Sequence, residues 1–267
     1  MNRLLPPLNV AGIAFWAPRL PGWEIARAVI RGEAPAPEAT VARPVPALLA
    51  PTERRRAPDT VAVALEVASH ACAAAGYAPG DLSSVFASTH GDIAISDYMC
   101  ATLVSTPTLI SPIKFHNSVH NAAAGYWSIG AHSQAPYTAI SAYQHTFGTG
   151  LLEAATQVAC EGKPVLLVAF DIEAKGALAT VMPSRGVVGA AVVLAPSDSG
   201  KGVPLMLQID AREAVPITPA NSPAAEYIAH NSLAPCLPFF ELLARGRAAD
   251  GVTLSLGRQM AVRVHLS

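Results

Sequence analysis

Charge is scarce in this sequence. Only 14% of its 267 residues are Asp, Glu, Lys or Arg, and the formal net charge is −1. So neutral a chain offers no extended field to a nucleic acid or an anionic lipid surface, and neither is expected as a partner. Its short basic knot, Arg54, Arg55 and Arg56 after Glu53, reads as a solvated turn ahead of a helix. A docking spot for an acidic carrier protein is the second reading of that knot. Long apolar runs are missing as well. No window reaches the ~18 consecutive apolar residues of a membrane span. Near the start, Pro6 and Pro7 interrupt any signal-peptide core. Cysteine is sparse: Cys72, Cys100, Cys160 and Cys236 stand far apart with no metal spacing. They are expected to be buried thiols in a reducing, cytoplasmic setting, with no metal or other cofactor. No internal repeat of fixed period is present.

Apolar side chain is what the sequence has in excess. Hydrophobic residues make up 51% of it, with a mean hydropathy of +0.35. That is oily for a soluble monomer, so another subunit is expected to cover part of the surface.

The apolar pattern predicts alternating strands and helices. Strands are expected at 8–15, 84–88, 137–142, 165–171 and 186–195. Helices are expected at 23–32, at 61–75 behind Pro58 and ending on Gly76, and at 92–104, 116–128 and 144–160. Residues 33–45 and 106–115 read as loops. Beyond Lys201 the pattern offers a strand at 205–211, a helix around 224–245, and strands at 252–256 and 261–266. This alternation argues for a layered α/β fold with a mostly parallel sheet.

Four segments carry a more specific message. Asn121-Ala-Ala-Ala-Gly125-Tyr-Trp-Ser-Ile129 opens a helix with an N-x-x-A-G start, and Ala135-Pro136 precedes a short strand. Ala139-Ile-Ser-Ala-Tyr-Gln144-His-Thr146 runs from that strand into the next helix, and Val165-Leu-Leu-Val-Ala169 is the strand after it. In this order and without a gap, they resemble the core of the β-ketoacyl synthase family. Val10-Ala-Gly12-Ile13 is similar to its first strand, and Trp23 with Gly32 to its first helix. The resemblance extends to about residue 195. It implies a thiolase-like layered fold, with a complete N-terminal βαβαβαββ half over 1–200. A reduced C-terminal β-α-β-β remnant over 201–267 would pack on it as one compact unit.

Active members place a cysteine at the sharp strand-to-helix turn, where the helix N-terminus lowers the thiol pKa and favours attack on an acyl thioester. Here that position holds Gln144, as it does in the family's chain-length factors. A carboxamide forms no acyl thioester. Active members also take two histidines from H-G-T-G-T and N-x-F-G-F-G-G segments, to stabilise charge during decarboxylation and condensation. Neither segment occurs in this sequence. The resemblance therefore implies a non-condensing subunit, of the short kind found with aryl-polyene-type type II synthases. Its partners would be a catalytic β-ketoacyl synthase subunit, paired edge to edge through the N-terminal halves, and an acyl carrier protein. By the same resemblance, the tunnel wall comes from residues 92–100 and 111–120. Tyr98, Met99 and Phe115 would form it with Ile95 behind them, and His116 and Gln144 would face the pocket or the partner. A stand-alone malonyl decarboxylase using Gln144 to polarise the thioester carbonyl, or a thiolase-like hydrolase, is the alternative.

Three further patterns are read as packing rather than chemistry. His116 and His120 stand four apart, but Asn117 occupies the base position of a zinc-protease helix and Tyr126 the usual third-ligand position. His145 with Glu153 and Ser141 has the composition of a triad, but closeness in sequence does not set a triad's geometry. Phe147-Gly148-Thr149-Gly150 lacks the lysine of a phosphate loop and suits close helix packing.

Overall fold

The computed structural model describes residues 3–211, 216–247 and 251–267. The first two residues and two short pieces of the tail lie outside the description. A ten-stranded sheet forms the middle layer. Its strands are β1 (Arg3–Leu4), β2 (Leu8–Ala17), β3 (Leu20–Pro21), β4 (Ser83–Ala87), β5 (Tyr137–Ile140), β6 (Val165–Asp171), β7 (Val188–Pro196), β8 (Val203–Asp210), β9 (Gly251–Gly257) and β10 (Met260–Leu266). Across the sheet the order is β5-β4-β6-β7-β2-β8-β10-β9, with β1 beside β8 and β3 beside β2.

β6 shows how the layers are built. All seven of its residues are buried, and its side chains alternate between two cores. Val165, Leu167 and Ala169 point into one, and Leu166, Val168 and Phe170 into the other. A strand covered on both faces reads as a continuous apolar run, which is what the sequence contains here. One face is covered by α1 (Trp23–Arg31), α7 (Thr146–Glu161) and α9 (Leu237–Arg245), and the other by α3 (Asp59–Ala75) and α6 (Ala122–Gly130). α3 lies across β2, β6 and β7, which is why it is apolar nearly all round. It stops at Gly76, whose φ of 67° closes the helix with a left-handed cap. In β7, a Cβ on Gly189 would come within 2.5 Å of Val63 on α3, so strand and helix meet closely there. The remaining helices are α2 (Pro51–Arg56), α4 (Ile93–Ser105), α5 (Pro112–Asn117) and α8 (Ala225–Ile228).

The structure corrects several sequence expectations. The sheet is mixed rather than mostly parallel: among the described residues only β4–β5 and β4–β6 are parallel, and the other paired strands run antiparallel. β7 returns beside β6 with no crossover helix, and the tail joins the same sheet through β8 and the β9–β10 hairpin. The basic knot lies just ahead of α3, as expected, but is itself helical, forming the last turn of α2, and Arg54 donates back to Leu49 O at 2.9 Å. The loop at 106–115 contains a 3-10 turn and the start of α5.

The helix expected at 116–128 is two helices. The Ser118 hydroxyl donates to Phe115 O at 2.8 Å and ends α5, and α6 begins after Asn121. The helix expected around 224–245 is likewise broken. Asn231 accepts from Leu233 N–H at 2.9 Å in a tight local turn, and Pro235 and Pro238 cannot donate within a helix. Gly186 precedes β7 in a turn with φ of 69° instead of lying within it. Of the four thiols, Cys72 and Cys236 are buried while Cys100 and Cys160 are exposed, on the outer faces of α4 and α7. Among the described residues, no helix is long and apolar enough to cross a membrane.

Candidate functional site

β4, β5 and β6 run parallel, so the segments that follow them emerge at one end of the sheet. That end is where open α/β sheets place ligand sites. β5 is followed by Ser141, Ala142 and a single 3-10 turn, Tyr143–His145, before α7 begins at Thr146. Gln144 therefore sits just ahead of the helix rather than in it.

The turn is tight and internally bonded. Tyr143 adopts a left-handed φ of 52°, uncommon for a residue with a side chain. Thr146 Oγ1 donates to Tyr143 O at 2.6 Å and accepts from Ala142 N–H at 3.0 Å. Ser141 Oγ donates to Thr89 O at 3.0 Å, tying the turn to the segment after β4. Gln144 itself is exposed.

Asp171, at the end of β6, organises this end of the sheet. Its carboxylate is fully buried and accepts from Ser88 Oγ at 2.9 Å, from Thr89 N–H at 3.0 Å and from His90 N–H at 3.4 Å. Burial pushes its pKa up to about 6, against the lowering effect of those same hydrogen bonds. His90 follows directly, and its Nε2 lies 3.0 Å from Ser232 Oγ. Burial lowers the His90 pKa. Asn231 Nδ2 donates to the carbonyls of Asp171, Arg185 and Gly186 at 3.3, 3.0 and 3.2 Å, which pins the 231–233 turn against β6 and the approach to β7.

Two cavities meet at the Gln144 turn. One, of about 300 Å³, is lined by Thr89, His90, Tyr143, Gln144, Asn231 and Ser232 among others. The second, of about 250 Å³, is more apolar and includes Gly148, Ile217, Pro219 and Leu254. Gln144, Ala234 and Pro235 belong to both.

The other residues expected to form a site lie elsewhere. Ile95 on α4 lines a separate cavity of about 480 Å³ with Asp92, Lys114 and Asn117. Tyr98 accepts from Ser111 N–H at 3.4 Å, and Lys114 Nζ sits 3.7 Å from its ring centroid. Met99 is half-buried on α4, and Phe115 is 61% exposed on α5. His116 meets the Tyr126 ring edge-on at 6.1 Å, while His120 donates from Nε2 to Ser88 O at 2.8 Å. The two histidines thus turn to different partners, and no group of three or more His, Cys, Asp or Glu among the described residues is arranged to hold a metal.

The triad composition does not assemble either. His145 Nδ1 pairs with Ser255 Oγ at 2.7 Å, Ser141 bonds to Thr89, and Glu153 accepts from Gln157 Nε2 at 2.9 Å. His90, Asn231 and Ser232 were not legible as site residues. Residues 90 and 232 are 142 positions apart, and no local pattern links them.

Residues 28–237 match the family model described as β-ketoacyl synthase, N-terminal domain. No curated protein matches the chain. Among solved structures, it is similar to a chain of a ketosynthase (ApeO) in complex with its chain length factor (ApeC) from Xenorhabdus doucetiae. The identity is 21% and the TM-score 0.72, over 97% of this chain and 98% of that one. A chain of the ishigamide ketosynthase/chain length factor matches at 14% identity and TM-score 0.67, over 98% and 99%. A chain of AntDE:AntF, a type II PKS acyl-carrier protein in complex with its ketosynthase bound to the hexaketide, matches at 11% and 0.73, over 98% and 99%. These likenesses establish the thiolase-like fold over nearly the whole chain.

Proposed function

This chain belongs to the β-ketoacyl synthase family, and from that premise we propose that it is a non-condensing, chain-length-factor-like subunit that pairs with a catalytic β-ketoacyl synthase. The observation that carries the reading is Gln144. Condensation by this family needs sulfur at the strand-to-helix turn, and the turn here presents a primary amide ahead of α7. Similarity to chains from ketosynthase/chain length factor complexes supports the same role.

The surface supports a partner. β5 ends the sheet, so one of its backbone edges is unpaired among the described residues. Beside it, α6 packs on β5, His116 of α5 meets Tyr126 of α6, and α5 packs on α4. These elements expose Leu103, Val104, Ile113, Phe115, Ile129 and Tyr137. So apolar a face next to an open strand edge is costly in water and suits a second, sheet-extending subunit.

In this reading α4 and α5 set how far an acyl chain extends at the interface, through Tyr98, Met99 and Phe115 with Ile95 behind them. Overpacking a fitted cavity costs ~1–3 kcal/mol, and ~1.4 kcal/mol already changes a preference tenfold. The acyl substrate would arrive on an acyl carrier protein, in an aryl-polyene-like type II pathway. Co-expression with a synthase encoded nearby tests the pairing. The two chains are expected to co-purify at 1:1, and separate elution at micromolar concentration would refute the role.

A further inference from the structure

We propose that Ser232 and His90 form a catalytic dyad that hydrolyses acyl thioesters in the cavity beside Gln144. Both side chains line the same cavity of about 300 Å³ as Gln144, and Ser232 Oγ lies 3.0 Å from His90 Nε2. Nucleophile, base and a free amide donor therefore share one space, the combination acyl transfer requires.

The serine is held rigidly. Asn231 fixes its turn through three donated hydrogen bonds and one accepted from Leu233 N–H. Ser232 N–H donates to Ser184 Oγ at 3.1 Å, and Arg185 N–H donates to His230 O at 2.9 Å. The histidine is held from the other side, because the Asp171 carboxylate binds the backbone N–H groups of Thr89 and His90. One residue at the end of β6 thus anchors both members, through its side chain and its carbonyl.

The ring of His90 is also left incompletely bonded. Its Nδ1 is buried and meets no hydrogen-bonding group among the described residues. If Nε2 accepts from the serine, Nδ1–H is an unpaired donor; if Nε2 donates, Nδ1 is an unpaired acceptor. Burial lowers the pKa of this ring, which keeps it a neutral base at neutral pH. The second pair, Ser255 and His145, is different: Ser255 lines the neighbouring cavity, and Gly257 O offers its hydroxyl another acceptor at 3.4 Å.

Chemically, Ser232 Oγ attacks the thioester carbonyl carbon as His90 Nε2 takes the hydroxyl proton. The amide of Gln144 donates to the oxyanion. The C–S bond then breaks, and the leaving thiolate takes the proton from His90. Water, deprotonated by His90, attacks the acyl-serine ester. The ester C–O bond breaks, Ser232 recovers its proton, and a carboxylic acid leaves. In sum, thioester and water give acid and thiol, with no redox change. The apolar cavity that shares Gln144, Ala234 and Pro235 would take the acyl tail. That the natural thioester is carrier-bound rests on the proposed function; the dyad does not.

The test uses the purified full-length chain. A fluorophosphonate probe, read by intact mass and peptide mapping, is expected to modify Ser232 alone. His90→Gln should lower the labelling rate at least tenfold with an unchanged melting curve. Thiol release from the N-acetylcysteamine thioester of octanoic acid should fall at least tenfold in Ser232→Ala. Absence of an adduct, an adduct on Ser255 or Ser141, labelling indifferent to His90, or an adduct at Ser232 without thiol release would each overturn the proposal. The site of the adduct in the unaltered chain needs no variant to fold. A chain that hydrolyses the thioester but binds no synthase would end the earlier reading and leave this one standing.

Discussion

Gln144 and Asp171 lie close together in the fold but differ in what the sequence reveals of them. The cue for Gln144 is local, a short strand, a turn and a helix in consecutive residues, and the structure places it in the 3-10 turn between β5 and α7. Asp171 ends an apolar run, and nothing nearby in the sequence indicates that Ser88, Thr89 and His90 converge on it. Its titration gives a testable consequence. The folded chain binds this proton at about pH 6, the ordinary aspartate only near 3.8. Between those values the folded state holds more protons than the unfolded one, so stability from this group falls as pH rises towards 6 and is lowest above it. His90 and Cys236 are the titratable neighbours; the lowered His90 pKa acts in the opposite direction over this range, and comparison with Asp171→Asn, which keeps His90, removes its contribution. Thermal melts from pH 7 down to about 5 should show the natural chain gaining several degrees relative to Asp171→Asn. A constant difference would contradict the assignment. At Tyr143, the left-handed backbone carries a strain of about 1 kcal/mol, and its side chain is 53% exposed. Tyr143→Gly should therefore raise the urea midpoint by a corresponding amount; a lower midpoint would mean the ring contributes more than its exposure indicates.

Among the elements, those with long, unbroken apolar patterns lie where the pattern predicts them, and the differences fall where side chains interrupt the backbone. β6 and α3 are apolar on every side because both are enclosed. The broken helices at 116–128 and 224–245 are apolar enough to read as continuous. They are ended by Ser118 bonding back to Phe115, by the Asn231 turn and by Pro235 and Pro238. The Phe147–Gly150 segment, expected to serve packing, does so. A Cβ on Gly148 would collide with Ser255 O of β9, and one on Gly150 would lie 2.9 Å from the Ala87 Cβ of β4. Gly148→Ala should accordingly cost ~1–3 kcal/mol in urea unfolding, and an unchanged midpoint would show that α7 can shift freely from β9. On α4 and α5, Met99→Ala or Phe115→Ala should lengthen the products of the reconstituted pair if these side chains wall the tunnel. Unchanged products from an intact complex would remove them from it.

For the whole molecule, the layered α/β class was legible from alternation, but the strand directions were not. Periodicity reports which side a residue faces, and nothing in it distinguishes an antiparallel return such as β7 from a parallel crossover. The oily composition did anticipate surface apolar residues, which gather on α4, α5, α6 and the β5 edge. If that face is the partner surface, Val104→Asp should weaken co-purification at least tenfold while leaving the melting temperature of the isolated chain within a degree or two. Retained binding would place the partner elsewhere. The central claim is that this chain takes part in condensation without performing it. Reconstitution with an acyl-loaded carrier and a malonyl-loaded carrier, followed by mass spectrometry of the carrier, tests it most directly. The account predicts no β-ketoacyl product from this chain alone, and product once the catalytic synthase subunit is added. A β-ketoacyl product formed by the isolated chain would contradict it.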